Sequence, residues 1–234
     1  MRKLLLLSIL SISSIVHARE LCDDKKNDKS LGHIHYIQPN LNYPASYLPS
    51  KKFDLVAHQE NIKIDISLNL VGFDEFPGGF EVEQDLSTAK QRLEKILASK
   101  IFKDEVNNHR YSKKYQFKKN NGFSNKEIYQ KIMDGADKYD PTIDNTIDMI
   151  LCPYYSSKSV IGYTYSNRKE VWVNFKYYKD RFNNFQVSDM IGNILHEWIH
   201  NTGFSHSSRR NKTRKYTVPY GVGDIARDIA GSLD

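Results

Sequence analysis

Methionine is scarce in this chain: in 234 residues it stands only at positions 1, 133, 149 and 190. Cysteine is scarcer still, with Cys22 and Cys152 alone, so one disulfide is the most the chain can close within itself. Long apolar runs are missing beyond the first 18 residues, and no later segment is expected to cross a bilayer. There are no internal repeats and no low-complexity tracts. A strong charge of either sign is also absent. Thirty-four Lys and Arg stand against 28 Asp and Glu, a formal charge of +6. The lysines are scattered and no basic stripe is interleaved with aromatics, so nucleic-acid binding is not expected.

What is present is the makeup of a folded domain. Hydrophobic residues are 39% and charged residues 26%, with 15 Tyr and 11 Phe to fill a core. The N-terminus reads as an export signal. Arg2 and Lys3 precede an apolar run of about 13 residues, Leu4 to Val16, too short to span a membrane comfortably. Val16-His17-Ala18 then has the small-x-small form of a cleavage site. Residues 1–18 are therefore expected to be removed, leaving a charge of +4 and a secreted or periplasmic protein without a membrane span. In that setting Cys22 and Cys152 are expected to pair. A free Cys22, or a Cys22 thiolate capping a metal in a latent form, remains an alternative.

Residues 19–60 are polar and punctuated by Pro39, Pro44 and Pro49, and read as an irregular pro-segment or wrapped arm. From residue 61 to 234 the pattern is that of one domain. Ile62, Ile64, Ile66, Leu68 and Leu70 alternate with polar residues as in a half-buried strand. Leu86, Ala89, Leu93, Ile96, Leu97 and Ile101 fall at helical spacing after Asp85. Short strands are expected at Tyr115 to Phe117, Ile147 to Cys152, Val160 to Tyr165 and Val171 to Phe175, and helices over 124–136 and 187–201. The fold class expected is α+β: a twisted mixed sheet of about five strands backed by helices, with a small irregular C-terminal subdomain.

The chemistry is concentrated in His196-Glu197-Trp198-Ile199-His200-Asn201-Thr202-Gly203-Phe204-Ser205-His206. His196 and His200 are four apart, so a helix places both imidazoles on one face. Gly203 can end that helix in a left-handed turn and return the chain, letting His206 supply a third nitrogen. Three protein ligands leave a position open for water and substrate, the pattern of a catalytic zinc site rather than a structural one. Glu197 stands beside the first ligand as a general base. Five positions matching by chance in a chain of this length is an event on the order of one in 10⁵.

The extended motif His-Glu-x-x-His-x-x-Gly-x-x-His resembles that of the metzincin clan of zinc metallopeptidases. The resemblance implies a zincin-like fold with the active-site helix at the sheet, Zn²⁺ as cofactor, and a peptide or protein substrate laid along an edge strand. Here that strand would be Ile161 to Tyr165. The expected function is a monomeric, secreted zinc endopeptidase. An inactive binding protein on the same scaffold, or a zinc hydrolase of a non-peptide amide, are the alternatives. The clan places a methionine in a tight turn below the metal, and this chain has none after His206. The turn-rich stretch Val218 to Gly223 is the substitute, with Tyr220 or Val222 beneath the site and Tyr220 a second catalytic candidate. His33 and His35, two apart, would share one side of a strand and could bind a metal, though an exposed strand face is the favoured reading; His58 and His109 have no partner pattern. The basic run from Arg209 to Lys215 reads as a solvated loop beside the cleft that would favour acidic substrate residues.

Overall fold

The computed structural model describes residues 62–68, 79–154, 156–157, 160–165, 168–180, 185–207 and 211–233. The expected signal segment, the 19–60 arm, Cys22 and the histidines at 33, 35 and 58 lie outside the described residues, as do Arg209 and Arg210.

The architecture is α+β. Strand β1 (Lys63–Leu68) leads into helix α1 (Gly79–Leu97), then α2 (Lys100–Asn108) and a small hairpin of β2 (Arg110–Tyr111) and β3 (Lys114–Tyr115). Helix α3 (Asn125–Asp134) is followed by β4 (Thr146–Tyr154), β5 (Gly162–Thr164), β6 (Glu170–Asn174) and α4 (Phe175–Asp180). Helix α5 (Val187–Asn201), a single 3₁₀ turn at Arg214–Tyr216 and helix α6 (Val218–Gly231) complete it. The main sheet has the order β1-β4-β6-β5. β1, β4 and β6 are parallel, and β5 runs antiparallel to β6.

Local sequence explains most of these boundaries. In β1 Ile62, Ile64 and Ile66 are buried while Lys63, Asp65 and Ser67 are exposed, the period of a strand covered on one face. The apolar stripe expected to form one helix over 85–101 breaks in two because the Ser99 hydroxyl accepts from the Phe102 amide and caps a new helix there. Helix α3 begins with a reciprocal capping box between Ser124 and Glu127. In α5 every residue from Met190 to Asn201 is buried. A helix buried all round sits at the centre of a fold, and α5 packs against α1, β5 and α6.

Two expectations are corrected. The main sheet among the described residues has four strands rather than five, because the expected strand at Tyr115 to Phe117 pairs only in the separate β2–β3 hairpin. The C-terminal stretch is not irregular. The Pro and Gly residues of 218–223, read as turn formers, open a 14-residue helix. Pro219 sits at the start of α6, where its missing N–H costs nothing. Gly221 and Gly223 let that helix approach its neighbours. A Cβ on Gly221 would meet the Phe117 ring at 2.7 Å, and one on Gly223 would meet the Gly192 carbonyl oxygen at 2.7 Å. The glycine density that mimics a turn is the requirement of close helix packing.

Candidate metal centre

Helix α5 carries His196 and His200 one turn apart on one face. The helix then stops. Gly203 takes φ +99° and its amide donates to the His200 carbonyl at 3.0 Å. An L side chain is strained in that conformation, which is why glycine stands there. The reversed chain brings His206 back, and the three imidazoles form a buried group whose ligand atoms all lie within 4.8 Å of one another. All three residues are at most 6% exposed.

The proton positions decide what this group can do. His200 Nδ1 lies 2.8 Å from the Phe204 carbonyl oxygen, and His206 Nδ1 lies 3.2 Å from that of Ser207. A carbonyl only accepts, so each Nδ1 carries the hydrogen and each Nε2 presents a lone pair. Both of those Nε2 atoms point at His196 Nε2, each at 3.2 Å. A single N–H on His196 could serve only one of them. Three nitrogens so placed can share a cation. Nitrogens 3.2 Å apart, each about 2.05 Å from one ion, subtend about 103°, close to the tetrahedral angle zinc prefers. The carbonyl partners of Nδ1 are also the usual means of orienting ligand imidazoles. Three buried histidines here can hold a metal ion.

Around the ligands the expected residues come together. The Tyr220 ring packs edge-on to His196 at 4.4 Å between centroids and lies 4.8 Å from His206. Tyr220 thus flanks two ligands from the first turns of α6. Val222 is wholly buried in the core. Glu197 is wholly buried, and neither of its oxygens has a hydrogen-bond partner among the described residues. Burial drives its carboxyl well above the ordinary carboxylate range, and the positive charge of Arg214 opposes that rise in part.

Four residues near the site escaped the sequence reading. Arg214, expected in a solvated loop, is 8% exposed and its guanidinium lies 4.7 Å from the Tyr220 ring centroid. Gly162 on β5 faces Glu197: a Cβ there would stand 3.2 Å from Glu197 Oε1. Asn193, one turn before Glu197, accepts from the Tyr178 hydroxyl at 2.8 Å. Arg214, Gly162 and Tyr178 carry no local pattern that marks them. Asn193 alone had a signal, its i, i+4 spacing from Glu197. His109, set aside as a lone histidine, stacks on Phe117 with ring centroids 4.0 Å apart, away from the ligands.

No protein-family model matches this chain, and no curated protein or solved structure matches it.

Proposed function

We propose that this chain is an exported zinc-dependent endopeptidase of metzincin type, with His196, His200 and His206 as ligands and Glu197 as general base. The observation that carries the reading is the convergence of three buried imidazoles next to a buried glutamate whose oxygens have no hydrogen-bond partner among the described residues. Zinc held there would supply a Lewis acid for a scissile carbonyl and lower the pKa of a water.

The chain's own residues would do the rest. Glu197 takes a proton from the attacking water at its carboxylate and delivers it to the leaving amine. A base pushed upward by burial suits both halves of that task. Tyr220, whose ring flanks His196 and His206, would donate to a developing oxyanion. The substrate lies along β5. At the opposite edge, β1 is plugged: the Ile64 amide donates to Glu94 Oε1 at 3.1 Å and Lys90 Nζ donates to the Ile66 carbonyl at 2.9 Å. β5 is the other terminal strand of the described sheet, and an extended peptide adding there would run beside Glu197. Burial of Cys152 on β4, with no free cysteine among the described residues, supports the proposed Cys22–Cys152 pair and hence export.

The deciding experiment pairs zinc analysis with peptide-library cleavage. One zinc per chain is expected, with cleavage by the wild type and loss of cleavage in Glu197→Gln at undiminished zinc content. Turnover surviving in Glu197→Gln sinks the mechanism. Zinc without cleavage of any peptide favours a binding protein on the same scaffold.

A further inference from the structure

The two faces of β5 differ in character. Gly162 and Thr164 look towards α5: a Cβ on Gly162 would stand 3.2 Å from Glu197 Oε1, and Thr164 Oγ1 lies 3.2 Å from Asn201 Oδ1. Side chains alternate along a strand, so Tyr163 points the other way. There it pairs across from Trp172, and the two rings stack with centroids 5.3 Å apart and planes 3° from parallel. Tyr165, just past the strand, meets Trp172 edge-on at 5.4 Å and Tyr163 at 6.0 Å. Tyr154 of β4 meets Tyr163 at 5.2 Å. An aromatic array thus runs across the sheet to its β5 edge. Trp172 within it is buried, whereas Tyr163 and Tyr165 are only half-buried.

The backbone of β5 also has a definite outward side. The Asn174 amide donates to the Ile161 carbonyl at 2.6 Å, which makes 161 and 174 a hydrogen-bonded pair. Hydrogen-bonded and non-hydrogen-bonded pairs alternate in an antiparallel ladder. Tyr163 therefore bonds Trp172, and the N–H and C=O groups of Gly162 and Thr164 point away from β6. Among the described residues no strand lies beyond β5. A chain added antiparallel there would bond the backbone of Gly162 and Thr164. Its residue opposite Gly162 would turn its side chain towards Glu197. The neighbouring residue, opposite Tyr163, would fall in a non-hydrogen-bonded pair, where side chains approach most closely, and would turn to the aromatic face.

We propose that Tyr163 is a specificity-determining residue, and that β5 selects an extended peptide with an aromatic or branched apolar residue next to the one facing Glu197. A second such residue, two positions further on, lies beside Tyr165. Cleavage of that peptide rests on the peptidase reading; its selection at β5 does not. Aromatic and β-branched side chains are the favourable cross-strand partners of a tyrosine. A lysine or arginine can also stack on a ring. Here the Arg168 guanidinium already lies 5.9 Å from the Tyr165 ring centroid, and like charges so close repel.

The test has a cleavage arm and a binding arm. Cleavage of a diverse peptide library by the zinc-loaded wild type, read by mass spectrometry, is expected to show aromatic or branched apolar residues at two positions separated by one. Tyr163→Ser is expected to weaken selection at the first of these about 2- to 10-fold, the worth of one aromatic pair, and to spare the second. Tyr163→Phe is expected to keep both. Because Tyr163 stacks on Trp172, Tyr163→Leu is the companion variant: it keeps a bulky apolar group there and is expected to lose the preference for aromatic over aliphatic residues. In the binding arm, fluorescence anisotropy of the same peptides on zinc-loaded Glu197→Gln is expected to show the same ranking without turnover. Cleavage with no preference at alternate positions, a preference for Lys or Arg there, or profiles of Tyr163→Ser and Tyr163→Leu identical to wild type overturns the inference and leaves the peptidase reading standing. If the wild type cleaves no peptide, that reading fails and the binding arm alone decides. Selection of the same residues then supports the role of Tyr163, and no selection, or no binding, overturns it.

Discussion

His109 should make this protein acid-labile, and by an amount the structure allows to be worked out. Its ring is stacked between Phe117 and the start of α6, with Cε1 against the position where Gly221 would carry a side chain. Its Nε2 is buried without a partner. Desolvation lowers its pKa from 6.5 to about 4. Between those values the unfolded chain binds a proton that the folded chain refuses. Stability is therefore fully present above pH 6.5 and falls as pH drops towards 4. The single-site linkage gives a loss of about 2.5 kcal/mol by pH 4.5 and roughly 3 kcal/mol below the folded value. The perturbation is His109→Phe, which keeps a flat ring against Phe117 and removes the titration. Urea denaturation of the metal-free proteins from pH 8 to pH 4.5 is the assay. The histidine ligands titrate in both, so they cancel in the difference. Wild type is expected to lose about 2.5 kcal/mol more than the variant across this range. Curves that stay parallel within about 0.5 kcal/mol would refute the account. Tyr220 directly precedes Gly221, so acid that loosens this contact should also disturb the residue flanking His196 and His206.

Three more outcomes are expected. His206→Ala should abolish the thermal stabilisation by zinc, which in wild type at a thousandfold excess over Kd amounts to about 4 kcal/mol; differential scanning calorimetry with and without zinc measures it. Thr164→Val removes the hydroxyl that lies 3.0 Å from the Glu170 carbonyl oxygen and 3.2 Å from Asn201 Oδ1 and should cost about 1–3 kcal/mol, with faster amide exchange confined to β5 by mass spectrometry. Mapping of unreduced peptides should recover Cys22 joined to Cys152, and reduction should cost up to about 5 kcal/mol, since a loop of about 130 residues is released; two free thiols in the native protein would refute that pairing.

The histidine cluster was legible because its geometry is local. His196 and His200 need only a helix to converge, and Gly203 needs only its own backbone freedom to bring back His206 ten residues after the first ligand. The strands β1, β4, β5 and β6 were legible for a similar reason, since alternation and short apolar runs are read within each segment. The break at Ser99 was missed because a continuous apolar stripe outweighed a single capping hydroxyl. Helix α6 was missed because Pro219, Gly221 and Gly223 carry turn propensity that packing against Phe117 and α5 overrides.

The sequence by itself determined the three histidines that come together, the glutamate beside the first of them, the α+β class and the place of the edge strand, since each is written in spacings shorter than a dozen residues. Only the tertiary structure decided what surrounds the three histidines. Tyr220 flanks the ligands from a helix rather than a turn, Arg214 is drawn from a basic run into the interior, and Asn193, Tyr178 and Gly162 gather around Glu197 from α5, α4 and β5. Those contacts join segments far apart in the chain. They exist because buried charge and buried donors must find partners across the fold, and no local pattern records which partners those are.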